Sequence, residues 1–200
     1  MFGLQVTVEP TTEPVSLPEA RRQCGISDDA GYYDNDLQGF IKAARIYCER
    51  VTGKAFITQT LKLTRDCFPG WKEEYAIRLP RPPGLSVTSV KYDDYAGTEQ
   101  TLSAATYVVD VSSEPARIGL AWGQIWPDTI EELGAVRVVY VAGYGAATAV
   151  PQTIKLAILM LVNHWFENRS AVGSVGGPVA MACQSLLGCE FSGSLAGTFG

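Results

Sequence analysis

The sequence predicts an α+β fold: a small helical core of three main helices, an antiparallel β section inserted before the last of them, and an extended C-terminal arm. Three observations carry this expectation. Apolar residues recur at helical spacing up to residue 53 and again from 151. Between about 55 and 141 the period drops to two, with turn residues punctuating it. After Arg169 the chain becomes rich in Gly and Ser. With 200 residues, 46% of them hydrophobic, the chain can bury a real core; 18% charged residues is a light load, which hints that partners cover some surface.

Residues 1–16, with Pro10 and Pro14, read as an extended lead-in. The domain then spans 17–169, with helices expected over 17–24, 35–52 and 151–168, and the flexible arm spans 170–200. Ser16 suits the cap of the first helix, with Pro18 in its first turn, Glu19 reaching back and Gly25 ending it. Asp34 or Asn35 starts the second. There Leu37, Phe40, Ile41, Ala44, Cys48 and Val51 fall on one stripe, Lys42, Arg45, Glu49 and Arg50 occupy much of the remainder, and Gly53 is a natural stop.

In the β section Leu61 and Leu63 alternate with Lys62 and Thr64, and Val136, Val138 and Tyr140 with Arg137, Val139 and Val141. Between them Tyr75–Leu79, Val87–Tyr92, Thr98–Leu102, Tyr107–Val111 and Arg117–Leu120 read as short strands. In the third helix Ile154, Ala157, Ile158, Leu161, Val162 and Trp165 make one stripe, yet Leu156, Leu159, Met160 and Phe166 make the other side apolar too. Such a helix must be covered on more than one side, and a neighbouring subunit is a plausible second cover. Leu156, Leu159, Met160, Asn163 and Phe166 are therefore the expected subunit interface. Beyond the Gly-rich hinge, Val179–Leu187 is a brief apolar segment before a tail of small residues.

The chemistry is sparse. A net charge of −5 without a run of Lys or Arg argues against a dedicated DNA reader. The opening residues lack the features of a signal peptide, and the longest apolar run, Ala157–Val162, is too short to span a bilayer. Five widely spaced cysteines without a Cys-x-x-Cys read as reduced thiols of a cytoplasmic product. Gly143-Tyr144-Gly145, between a strand and a helix, resembles the start of a phosphate site. It lacks the third glycine of a dinucleotide fingerprint and the Gly-Lys-Ser/Thr of a P-loop, and Pro151 removes an N–H from the helix start. Gly143, Gly145 and Pro151 are expected to form a strand-to-helix corner.

Asp34-Asn35-Asp36 copies half of a calcium loop, but its twelfth place is Arg45, and an acid-rich helix start explains the same residues. His164, the only histidine, has no His or Cys one turn away, and Glu131-Glu132 sit in a turn. No catalytic, cofactor or metal set emerges. Trp122 and Trp126 either pack on the sheet as a plug or anchor a partner.

The order of these features resembles the head–tail connector (adaptor) proteins of tailed bacteriophages, in the longer form with a β insertion. The residues concerned are Leu79-Pro80-Arg81-Pro82-Pro83 leading into Val87–Tyr92, the hairpin Gly97–Leu102, Tyr107 with Val109-Asp110, and Ser113–Ile118. The strongest are Val138–Gly145, then Val150-Pro151, Ile154, Ala157-Ile158 and His164–Arg169. The likeness spans residues 17–172. It implies a non-enzymatic virion protein, made in the host cytoplasm, forming a ring of about twelve copies beneath the portal. Its partners would be itself, the portal protein and a tail-side stopper or terminator, with DNA passing through a lumen that does not grip phosphate. No membrane is implied. The chain departs from the resemblance in its longer tail. Val179, Met181, Leu186 and Leu187 would be the portal-docking arm; an idle tail is the competing reading. A neck or tail-completion protein lower in the tail is the alternative within this class. A small-molecule-binding enzyme using the Gly143–Gly145 turn is the alternative outside it.

Overall fold

The computed structural model of the chain describes residues 2–27, 31–70, 75–168 and 178–188. The fold is α+β, as expected, and divides into a β unit of Met1–Pro10 with Thr58–Tyr144 and a helical unit of Thr11–Ile57 with Gly145–Gly200. The change of period in the sequence at about 55 and 141 lies within three residues of both later boundaries.

The β unit contains eight strands among the described residues: β1 (Phe2–Val8), β2 (Gln59–Arg65), β3 (Ala76–Arg78), β4 (Gly84–Asp93), β5 (Glu99–Thr101), β6 (Tyr107–Asp110), β7 (Arg117–Leu120) and β8 (Val136–Ala142). They form two antiparallel sheets, one in the order β1-β2-β8-β4-β5 and a smaller one in the order β3-β7-β6. Period-two patterning drives this: Val136, Val138, Tyr140 and Ala142 all point inward, opposite Leu61 and Leu63 in the register Leu61↔Tyr140 and Leu63↔Val138. The Tyr140 hydroxyl donates to the Pro80 carbonyl at 2.5 Å, so the phenol is buried without an orphaned polar group. Burial disfavours the phenolate and holds the Tyr140 pKa well above the usual phenol range.

The lead-in is partly a strand. Phe2–Val8 pairs along β2 from Phe2↔Arg65 to Val8↔Thr60 and forms an edge of the larger sheet. The Gln5-Val6-Thr7-Val8 alternation is the signal in the sequence, and the prolines that follow it obscure it. At the joint between the sheets Gly84 is required by close approach, since a Cβ there would sit 2.6 Å from the Cβ of buried Ala116.

The helical unit holds α1 (Leu17–Gln23), α2 (Asp34–Thr52), α3 (Gln152–Glu167) and α4 (Pro178–Gly188). The predicted capping box is present: Ser16 N–H donates to Glu19 Oε2 at 2.7 Å, and Glu19 N–H to Ser16 Oγ at 3.4 Å. Asp34 opens α2 and is paired with Arg21 (Nε–Oδ1 2.9 Å), so a helix-start ion pair takes the place of half a calcium loop. Gly53 closes α2 in the left-handed region at φ +67°.

Helix α2 carries its apolar stripe on the buried side, but two of its charged residues are buried as well. Arg45 and Glu49 are 4% and 5% exposed. Glu13, from the segment before α1, bonds Arg45 Nε at 2.7 Å. The chain after Gly53 folds back so that Phe56 N–H donates to Glu49 Oε1 at 2.9 Å.

Candidate assembly interface

Helix α3 organises the helical unit because α1, α2 and α4 all pack against it. Its expected core stripe is realised by Ile154, Ala157, Ile158, Leu161 and Val162, all buried, while Trp165 is half-buried and meets the Phe40 ring at 6.5 Å. Pro151 stands at the N-cap, where its missing N–H costs no helical bond.

The second apolar side is covered in part by the chain itself. Phe166 makes an edge-to-face contact with Tyr33 at 5.3 Å. Helix α4 packs at the core stripe, with the Cys183 thiol donating to the Ala157 carbonyl at 3.7 Å and both Cys183 and Leu187 buried. Of the five proposed interface residues, Leu156 is the most open at 41% exposure, while Leu159, Met160, Asn163 and Phe166 are half-buried. Met160 and Asn163 also line a cavity of about 210 Å³ with Gln23, His164 and Glu167. There Asn163 donates to Glu167 at 3.2 Å, and the His164 ring lies 3.2 Å from the Asn168 amide. Among the described residues Leu156, with half-buried Leu159 and Met160 near it, is the apolar part of this helix left most accessible.

In the proposed docking segment Leu187 is buried and Leu186 half-buried. The segment is therefore a packed helix in this state. The side chains of Val179 and Met181 lie outside the described residues, as do the rest of the arm at 170–177 and the tail at 189–200.

The corner behaves structurally. Gly143 and Gly145 have φ of +122° and +110°, open only to glycine, and Gly143 N–H is already spent on the Pro83 carbonyl at 2.9 Å. A phosphate would find that donor occupied. Among the described residues no group of His, Cys, Asp and Glu is placed to hold a metal, and no helix is long and apolar enough to cross a membrane.

The tryptophan pair separates into two roles. Trp126 stacks on buried Phe68 with centroids 4.8 Å apart and planes within 7°, and Tyr92 meets the Phe68 ring edge-on at 5.7 Å. Trp122 touches none of this and is fully exposed. Four residues of spacing had suggested a shared role, but the loop is irregular and sends the rings apart.

No protein-family profile matches the chain, and no curated protein is similar to it in sequence. Solved structures are similar in fold. A chain in the neck of an empty gene transfer agent (GTA) particle, described with C6 symmetry, superposes with a TM-score of 0.77 at 24% identity, covering 98% of both chains. A chain of the native GTA neck with C12 symmetry gives 0.71 at 24% identity and the same coverage, and one from the native GTA virion gives 0.71 at 23% identity over 92% and 94% of the two chains. This chain therefore has the fold of a GTA neck protein along essentially its whole length.

Proposed function

We propose that the chain is a structural virion protein of a tailed-phage-like particle. It acts without enzymatic activity as a head–tail connector: a ring beneath the portal that extends the DNA channel and receives the tail. The observation that carries this reading is the likeness to a neck chain over 98% of both chains at a TM-score of 0.77. The C12 description of one such neck supports a ring of about twelve copies.

The exposed part of α3 supplies the lateral contact in this reading, with Leu156 and Leu159 at its centre and Met160, Asn163 and Phe166 around them. Each contact is small, so closure is strongest where a template holds many copies together. The net charge of −5 suits a conduit, because a wall that does not condense on phosphate lets DNA slide. The segment 172–187, with Val179, Met181, Leu186 and Leu187, forms the portal-facing arm, and a tail-side stopper or terminator takes the opposite end of the ring.

The test is to mix the purified chain with the portal of its own phage and image the product by electron microscopy. A ring on the narrow, tail-facing end of the portal is the expected result. Binding to downstream neck or tail proteins without any to the portal would move the chain lower in the neck. No assembly with either would overturn the reading.

A further inference from the structure

Among the described residues the smaller sheet of the β unit has one buried and one open face. Ile77 and Ile118, paired across β3 and β7, are fully buried on one side. The alternate residues form a row on the other side, Ala76↔Gly119↔Val108 across β3, β7 and β6. This row is the floor of a groove of about 390 Å³ walled by Tyr75, Leu120 and Trp126, with the paired Asp110 and Arg117 also in its lining. The floor is cut low by its central residue: a Cβ on Gly119 would meet nothing within 4 Å. Aromatic walls over a floor of small residues suit a flat apolar side chain. Val108, at 58% exposure, lies on β6, whose one strand partner among the described residues is β7, so β6 has an open outer edge.

The sequence holds one segment with the matching chemistry. After α4 ends at Gly188, Cys189–Gly200 continues as CEFSGSLAGTFG. Phe191, Gly193, Leu195, Gly197 and Phe199 fall at every second position, against Glu190, Ser192, Ser194, Ala196 and Thr198. That is the period of a strand with a large apolar residue at every other inward place. Twelve residues reach about 40 Å when extended, enough to leave their own subunit. The segment has one charged side chain, Glu190, so laying it on an apolar surface costs little desolvation.

We propose that the groove over Gly119 is a docking site for the 189–200 segment of a second copy. That segment runs as an added strand along the outer edge of β6 and places a phenylalanine between Tyr75 and Trp126. Backbone bonds to the open edge give affinity, and the groove sets the register. Exchanged tails of this kind tie each subunit to a neighbour, so the proposal rests on the self-association proposed above. It differs from that reading in surface and in segment.

The test uses the full chain with Phe199 replaced by the photo-cross-linker p-benzoylphenylalanine. Copies labelled with nitrogen-14 and nitrogen-15 are mixed in equal amounts, assembled on the portal, irradiated and mapped by mass spectrometry. The expected result is cross-links between copies of unlike isotope, on Tyr75–Ala76 or within 107–120. Filling the groove with Gly119→Leu should cut their yield about tenfold while the melting temperature stays near that of the parent. If Gly119→Leu unfolds the chain, Phe191→Ser with Leu195→Ser, which alters the tail alone, should produce the same loss. Rings with no cross-links, or with cross-links confined to one copy or to the portal, would overturn the inference and leave the connector reading standing. Absence of rings in the images would overturn both.

Discussion

Arg45 and Glu49 stand one turn apart on α2, joined at 2.9 Å, and both are almost wholly withdrawn from solvent. On the sequence they belong to the polar remainder of an amphipathic helix. Two segments distant from that face bury them: Glu13 closes over Arg45, and the backbone of Phe56 caps Glu49. The cluster is satisfied at each of these atoms, which is the condition for charge to be tolerated inside.

Glu49→Ala should therefore cost about 3 kcal/mol or more, because it strips a buried guanidinium of one partner and orphans the Phe56 N–H. At this chain length that lowers Tm by roughly 6 °C or more. Lys91→Ala, which breaks the exposed Lys91–Glu99 pair, should cost less than about 1 kcal/mol. Thermal melts of the two variants side by side check the contrast; equal shifts would mean that the α2 cluster is open to water.

Trp126→Ala removes the partner stacked on Phe68 and should lower stability by about 2–4 kcal/mol. Trp122→Ala should stay within about 0.5 kcal/mol, since the ring is fully exposed. Fluorescence separates them further: loss of Trp126 should move the remaining emission to the red, and loss of Trp122 should move it to the blue.

Leu156→Asp tests the lateral contact without touching the core. The isolated chain should melt within about 0.5 kcal/mol of the parent, and rings on the portal should be lost from electron micrographs. Ile158→Asp, two residues on and fully buried, should instead prevent folding.

Thiol chemistry reports on α4. Burial, with smaller contributions from Cys183 and Glu49, pushes the Cys48 thiol up to about 12, and burial raises that of Cys183 as well. Alkylation at pH 7.5 followed by peptide mapping should modify exposed Cys67 quickly and leave Cys48 and Cys183 protected until denaturant is added. Rapid labelling of Cys183 alone would show that α4 does not stay docked. Labelling that appears only after mixing with the portal would show that assembly releases it.

The Asp110 carboxyl is held well below the usual carboxylate range by the hydroxyls of Ser112 and Ser113 and by Arg117. A depressed folded-state value stabilises the fold fully above the unfolded value of about 3.9 and progressively less as pH falls below it. Asp110→Asn should thus be less stable than the parent at pH 7, and the gap should narrow between pH 4 and pH 2. A constant gap in Tm over that range would assign the effect to packing.

Local chemistry determined much of this molecule by itself. The capping box at Ser16 and Glu19, the left-handed stop at Gly53, the core stripe of α3 and the alternation of β8 are written in short stretches. Spacing along one element dictates which face is apolar, and neighbouring atoms make those hydrogen bonds. The Gly143–Gly145 corner was legible for the same reason, because a missing third glycine and a following proline are local facts.

Tertiary structure decided everything that depends on residues far apart in sequence. It turned the first strand into a sheet edge, split the strands into two sheets, and buried Arg45 with Glu49. It sent Trp122 and Trp126 to different fates and docked α4 against α3. In each case the deciding partner lies well outside the local window: Arg65 for Phe2, Glu13 for Arg45, Phe68 for Trp126, Ala157 for Cys183. Periodicity shows that a face must be covered; only the folded chain shows what covers it.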